Sequence, residues 1–266
     1  MKRNAVLPNF FTALSLCCGL FVIFKMNMIP PGTAVFDQVL SCVKILLAAA
    51  VFDVLDGALA RAMNVKTKFG AFFDSMADAV SFAVAPSVLV LKSLSMVPGT
   101  VFSAFLTVGA VIYSVAGILR LVRYSVIAMG SSPNLGPFSG LPVPCAGVAI
   151  IAPTLLLMGE SVSVSAHTHA VIATVLFFVL SYLMLSRWKF PSIKAFNMPV
   201  TSTRLLVITV ALFSLLLFLA LHNFPVVLLL ASWGYIIFSV VTACMRLTKG
   251  GQRLMADDEL EEEVEP

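Results

Sequence analysis

Four aspartates, Asp53, Asp56, Asp74 and Asp78, fall in the stretch FDVLDGALARAMNVKTKFGAFFDSMAD (Phe52–Asp78), which contains no histidine or cysteine. A cluster of carboxylate oxygens alone suits hard divalent cations such as Mg2+, Mn2+ or Ca2+. Two such ions balance four negative charges, and paired ions characteristically serve phosphoryl chemistry by holding the attacking and leaving oxygens. Protonation of some carboxyls is the other way to relieve their repulsion. A proton or cation pathway through a transporter is then the competing function.

The spacing says which elements must carry these groups. Asp53, Asp56, Gly57 and Ala60 follow one another at i, i+3, i+4 and i+7, one face of a helix. Gly70, Asp74 and Asp78 follow at i, i+4 and i+8, one face of the next helix. The short basic link between them makes the two helices antiparallel neighbours. At about 1.5 Å per residue, Asp56 lies roughly 7–8 Å inside Arg61 and Asp74 roughly 6 Å inside Gly70. Asp53 and Asp78 each lie roughly 12 Å inside on the same measure. The carboxylates therefore level in pairs, deep with deep and shallow with shallow. Gly57, Ala60 and Gly70 leave room for a flat ligand above the ions, or for close helix approach of the ordinary membrane kind.

The surroundings are apolar. Of 266 residues, 60% are hydrophobic and 11% charged, and the mean hydropathy is +1.03. These values exclude an ordinary soluble domain and define an all-α integral membrane protein. About eight spans are expected, near 8–28, 39–60, 71–92, 100–119, 141–158, 169–186, 204–221 and 226–245. With the N-terminus inside, fourteen of the seventeen Lys and Arg residues fall on the cytoplasmic side, while Lys25 and Lys92 mark outer ends and Lys44 lies within a span. Both termini are thus expected in the cytoplasm. The first span follows Lys2-Arg3, lacks a small-x-small cleavage pattern and is read as an anchor. The acidic end, DDELEEEVEP, is expected to be a disordered tail. At this depth each carboxylate costs about 2.5–3.5 kcal/mol even on gentle insertion scales, so the cluster calls for a function.

The full pattern, Asp53-x2-Asp56-Gly57-x2-Ala60-Arg61-x8-Gly70-x3-Asp74-x3-Asp78, resembles the signature of the CDP-alcohol phosphotransferase family at every fixed position. The resemblance implies transfer of a phosphoryl-linked group from a CDP-alcohol to a second alcohol, with release of CMP. It implies two divalent cations, Mg2+ or Mn2+, on Asp53, Asp56, Asp74 and Asp78, with Asp78 also the base. Asp53, Asp56, Gly57, Ala60 and Gly70 would line the nucleotide site, Arg61 and Lys68 would meet phosphate or lipid head group, and the protein would be a homodimer.

Four further stretches resemble the bacterial and archaeal phosphatidylserine synthases of that family: LPNFFTALSLCCGL (Leu7–Leu20), GILRLVRYS (Gly117–Ser125), FSGLPVPCAG (Phe138–Gly147) and SRWKFPSIKAF (Ser186–Phe196). The resemblance implies CDP-diacylglycerol and L-serine as substrates in a bacterial-type inner membrane. It implies a six-helix core over residues 1–196, with 197–246 as two added helices and 247–266 as tail. Val122 and Ser125 depart from the usual Ala and Asn. Arg120 and Arg123, three residues apart, suit a serine carboxylate or a lipid phosphate, or act only as cytoplasmic anchors. Lys66, Lys68 and Lys194 carry the same alternatives, with head-group contact expected of Lys68 and Lys194. Choline is the closest rival acceptor, with Tyr113, Tyr124 and Trp188 as candidates for an aromatic cage. His167, His169 and His222 read as loop residues, and the five cysteines as reduced packing residues. No nucleic-acid stripe or Gly-rich nucleotide loop is present.

Overall fold

The computed structural model describes residues 6–30, 35–63, 67–94, 100–129, 140–159, 165–186 and 223–262. Among these every regular element is helical. The order is α1 (Val6–Asn27), α2 (Phe36–Ala62), α3 (Lys68–Asp78), a π-helical turn (Ala79–Val84), α4 (Ala85–Ser93), α5 (Val101–Met129), α6 (Val143–Leu157), α7 (Ala166–Leu185) and α8 (Phe224–Glu262). Among the described residues, six stretches are long and apolar enough to cross a membrane, with α3, the π turn and α4 together making one of them. The shorter α6 is the seventh apolar helix. The expected span at 204–221 lies outside the described residues, as do Lys66, Trp188, Lys194 and His222.

Two expected boundaries move. α5 runs to Met129, about three turns past the expected end, because RLVRYSVIAM has neither Gly nor Pro to stop it. α8 continues to Glu262, so the tail expected to be disordered is helical through most of its length. Leu, Met, Ala and Glu there favour a helix enough to offset the like-charge block.

α1 packs along α2, α5 against α7 and α6 against α8, with α3 and the π turn wedged between α1 and α5. The core is drawn from all of them but α3: Val22, Val43, Phe82, Leu89, Leu106, Tyr113, Ile150, Phe177 and Ile236 are all nearly or fully buried. Trp233 Nε1 donates to Ala149 O over 3.0 Å and pins α8 to α6.

The π turn has a local cause. Pro86 opens α4, has no N–H, and its ring would strike the carbonyl four residues back, that of Phe82. The chain widens instead, and the Ala85 N–H reaches Val80 O, five residues back. Three glycines from three helices meet this turn. A Cβ on Gly19 would lie 2.5 Å from Ser81 Oγ, one on Gly117 2.7 Å from Ala83 Cβ, and one on Gly147 3.0 Å from Phe82 O. Larger residues would push the three helices off the turn.

Gly140 has φ +85°, a conformation that L side chains seldom adopt, and a Cβ there would strike Met184 O. With Pro142 as its cap, this segment starts α6. The Leu141 N–H donates to Leu183 O over 3.0 Å and ties the start of α6 to the end of α7. The Gly-Leu-Pro element is therefore a helix start anchored to a neighbour.

Candidate metal centre

Asp53 and Asp56 sit in the last turns of α2, and Asp74 and Asp78 face them from α3. One carboxylate oxygen each from Asp53, Asp56 and Asp74 lies within 4.8 Å of the other two. The Asp53 carboxyl is also within hydrogen-bonding reach of both Asp74 and Asp78. Asp78 Oδ1 is buried and, among the described residues, accepts no hydrogen bond. The convergence of α2 and α3 carboxylates expected from the spacing is thus present for Asp53, Asp56 and Asp74, with Asp78 reaching Asp53.

The donors fit a hard cation. Oxygens sharing one ion at roughly 2.1–2.5 Å stand no more than about 4–5 Å apart. Among the described residues no histidine or cysteine joins the cluster. A buried carboxylate oxygen without a partner, as on Asp78, needs a cation or a proton to be stable.

α1 supplies a partner that the spacing argument missed. Thr12 is buried, and its Oγ1 donates to Asp56 Oδ2 over 2.6 Å. Asp56 is itself only 5% exposed. A hydroxyl so placed fixes which lone pairs of the carboxylate remain for an ion. Asn9, one helical turn earlier, reaches the start of α3: a Cβ on Gly70 would lie 3.1 Å from Asn9 Oδ1 and 2.9 Å from Thr67 Oγ1. Thr67 caps α3 by accepting from the Gly70 N–H over 3.0 Å. A side chain at position 70 would have to displace this capping contact. Both α1 residues lie in LPNFFTALSL, where a polar pair at i, i+3 in an apolar span was the available signal.

Gly57 and Ala60 are partly buried on the same face of α2 as the carboxylates. Arg61 ends that helix and Lys68 begins α3, so both backbones stand at the mouth of the cluster. Arg120 and Arg123 do not share one environment. Arg120 is 8% exposed and lies beside Cys145 of α6 and Tyr235 of α8, whereas Arg123 is exposed. Ser125 meets Ser75 Oγ at 3.1 Å and so joins α5 to the residue after Asp74.

Tyr113 is fully buried and its ring packs on Phe177 at 5.4 Å, so it is not part of an aromatic cage. His167 is exposed against Phe102 at 5.1 Å while His169 is buried, so the two do not face a common ion. All five cysteines are free thiols.

Membrane-length helices that bury an all-carboxylate cluster near one end of the bundle define a polytopic membrane protein with the donor set of a divalent-metal enzyme. Residues 5–180 match the profile of the CDP-alcohol phosphatidyltransferase family, and the chain belongs to that family, which depends on divalent metal. Among curated relatives, a CDP-diacylglycerol–serine O-phosphatidyltransferase of Helicobacter pylori is 29% identical over 187 residues, covering 70% of this chain and 72% of that protein. One of Bacillus subtilis is 30% identical over 195 residues, 71% of this chain and 91% of the relative. One of Mycobacterium tuberculosis is 35% identical over 160 residues, 58% of this chain and 50% of the relative.

Proposed function

We propose that this protein transfers the phosphatidyl group of CDP-diacylglycerol to the hydroxyl of L-serine, giving phosphatidylserine and CMP. The observation that carries the reading is the convergence of Asp53, Asp56 and Asp74 within 4.8 Å at the family's signature positions. The names of the relatives support serine as acceptor. The burial of Tyr113 removes one aromatic that a choline site would have used.

Asp53, Asp56, Asp74 and Asp78 would hold two divalent cations, Mg2+ or Mn2+. When bound, these supply counter-charge to the diphosphate and to the departing CMP. Gly57 and Ala60 leave space for the nucleotide over the carboxylates, Gly70 lets Asn9 and Thr67 close in at its edge, and Arg61 and Lys68, whose backbones stand at the mouth, are the candidates for phosphate or head group. Asp78 takes the proton of the serine hydroxyl. The hydroxyl oxygen forms its bond to the lipid-bearing phosphorus as the bond from phosphorus to the CMP oxygen breaks. Arg120, Arg123 and Lys194 are the candidates for the serine carboxylate.

The lipid enters sideways from the cytoplasmic leaflet of a bacterial-type inner membrane, where both termini also lie. Residues 1–196 form the catalytic unit of a homodimer, with 197–246 as added membrane helices. In the test, purified protein receives CDP-diacylglycerol and labelled serine, with choline, glycerol phosphate and inositol phosphate as parallel acceptors. One CMP per phosphatidylserine is expected. CMP release with another alcohol alone would reassign the acceptor, and none with any alcohol would defeat the reading.

A further inference from the structure

Tyr113 does not touch the carboxylates, yet its hydroxyl does something specific. It donates to Phe82 O over 3.1 Å, in the middle of the π turn that begins immediately after Asp78. Phe82 stands four residues before Pro86, and the proline nitrogen has no hydrogen to give that carbonyl. The Ala85 N–H is already committed to Val80 O. Tyr113 thus brings this carbonyl a donor in place of the N–H that Pro86 lacks. It is fully buried and held from behind by Phe177, so the donor is fixed in place.

Neighbouring contacts hold the same turn. Ser81 Oγ donates to Ser15 O of α1 over 2.9 Å. Ser114, next to Tyr113, lies 3.5 Å from Ala83 O and shares a hydrogen bond of 2.8 Å with Ser87. Such a turn inserts one residue relative to an α-helix. Its loss would rotate Asp78 against α4 by about 100° and shift it by about 1.5 Å. The direction of the Asp78 carboxyl, with its partnerless Oδ1, therefore depends on whether the turn is kept.

We propose that Tyr113 is a positioning residue for the metal centre: its hydroxyl secures the π turn that aims Asp78 at Asp53 and Asp74. This rests on Asp78 being a metal ligand, as proposed above. The test measures Mn2+ binding to the purified full-length protein by the electron paramagnetic resonance of the free ion, alongside steady-state rates. Tyr113→Phe should weaken Mn2+ binding about tenfold or more and lower kcat similarly, with the KM values for CDP-diacylglycerol and serine nearly unchanged. Thr154→Ala removes a comparably buried hydroxyl from α6 (bonded to Ile150 O at 3.0 Å) and should leave Mn2+ binding unchanged. Wild-type affinity in Tyr113→Phe, with binding lost in Asp78→Asn, would overturn the positioning role and spare the metal reading. No Mn2+ binding by the wild type would overturn both. Should Tyr113→Phe fail to fold, Ser81→Ala releases the same turn from α1, and unchanged Mn2+ binding there would equally overturn the proposal.

Discussion

Replacing Thr12 by valine keeps the outline of the side chain and deletes one hydroxyl, the donor to Asp56 Oδ2 at 2.6 Å. Thr12 and Asp56 are both buried, so bulk water is poorly placed to take over the bond. A hydrogen bond to an ionised acceptor contributes about 1.5–3 kcal/mol. Loss of a residue that orients a metal-binding carboxylate lowers affinity by about 10–100-fold, which is about 1.4–2.8 kcal/mol. The two estimates overlap, so the concentration of Mg2+ giving half-maximal CMP release should rise by about one to two orders of magnitude. Thr12→Ser keeps the donor and should stay close to wild type. The contact to Pro8 O, which the same hydroxyl also approaches at 3.2 Å, lies within α1 and does not bear on the metal. The reasoning is refuted if valine leaves the Mg2+ requirement within twofold of wild type, or if serine and valine raise it equally.

Other expectations are briefer. Asp78→Asn should lower kcat by about 10²–10⁴, the usual span for a lost general base, and near-normal turnover would remove Asp78 from that role. Chelation should stop CMP release and lower the thermal unfolding midpoint, because the buried carboxylates then repel one another; Mg2+ or Mn2+ should restore both, and full activity after exhaustive chelation would sink the metal reading. Gly117→Ala places a Cβ 2.7 Å from that of Ala83 and should cost about 1–3 kcal/mol in thermal unfolding. Gly234→Ala, which faces open space inside α8, should leave stability unchanged or raise it by up to about 1 kcal/mol; equal losses at both would show that the close approach is not felt.

The carboxylate cluster was legible because helix periodicity and helix rise are local rules. Once Asp53 and Asp56 share a face and the link to α3 is short, their level against Asp74 and Asp78 follows from counting. Span positions were legible for the same reason, since long apolar runs need no partner to be recognised. Thr12 was not, because its contact with Asp56 crosses 44 residues of sequence and depends on how α1 lies on α2. Nor was the π turn: Pro86 takes a donor from the helix, and the hydroxyl that meets the Phe82 carbonyl comes from another helix. Arg120 illustrates a third failure. An arginine near a helix end is expected at the surface, yet α5 outruns its apolar stretch and buries that residue beside α6 and α8.

Gly19, Gly117 and Gly147 bring the backbones of three helices onto the π turn, leaving little side chain between them to give way. α1, α5 and α6 therefore cannot slide past the helix that carries Asp74 and Asp78. A bilayer that thickens or thins must be met by tilting of the bundle as a whole or by adjustment at its far rim. The depth of the carboxylates relative to their own scaffold then stays constant, and turnover in vesicles of short-chain and long-chain lipids should differ little.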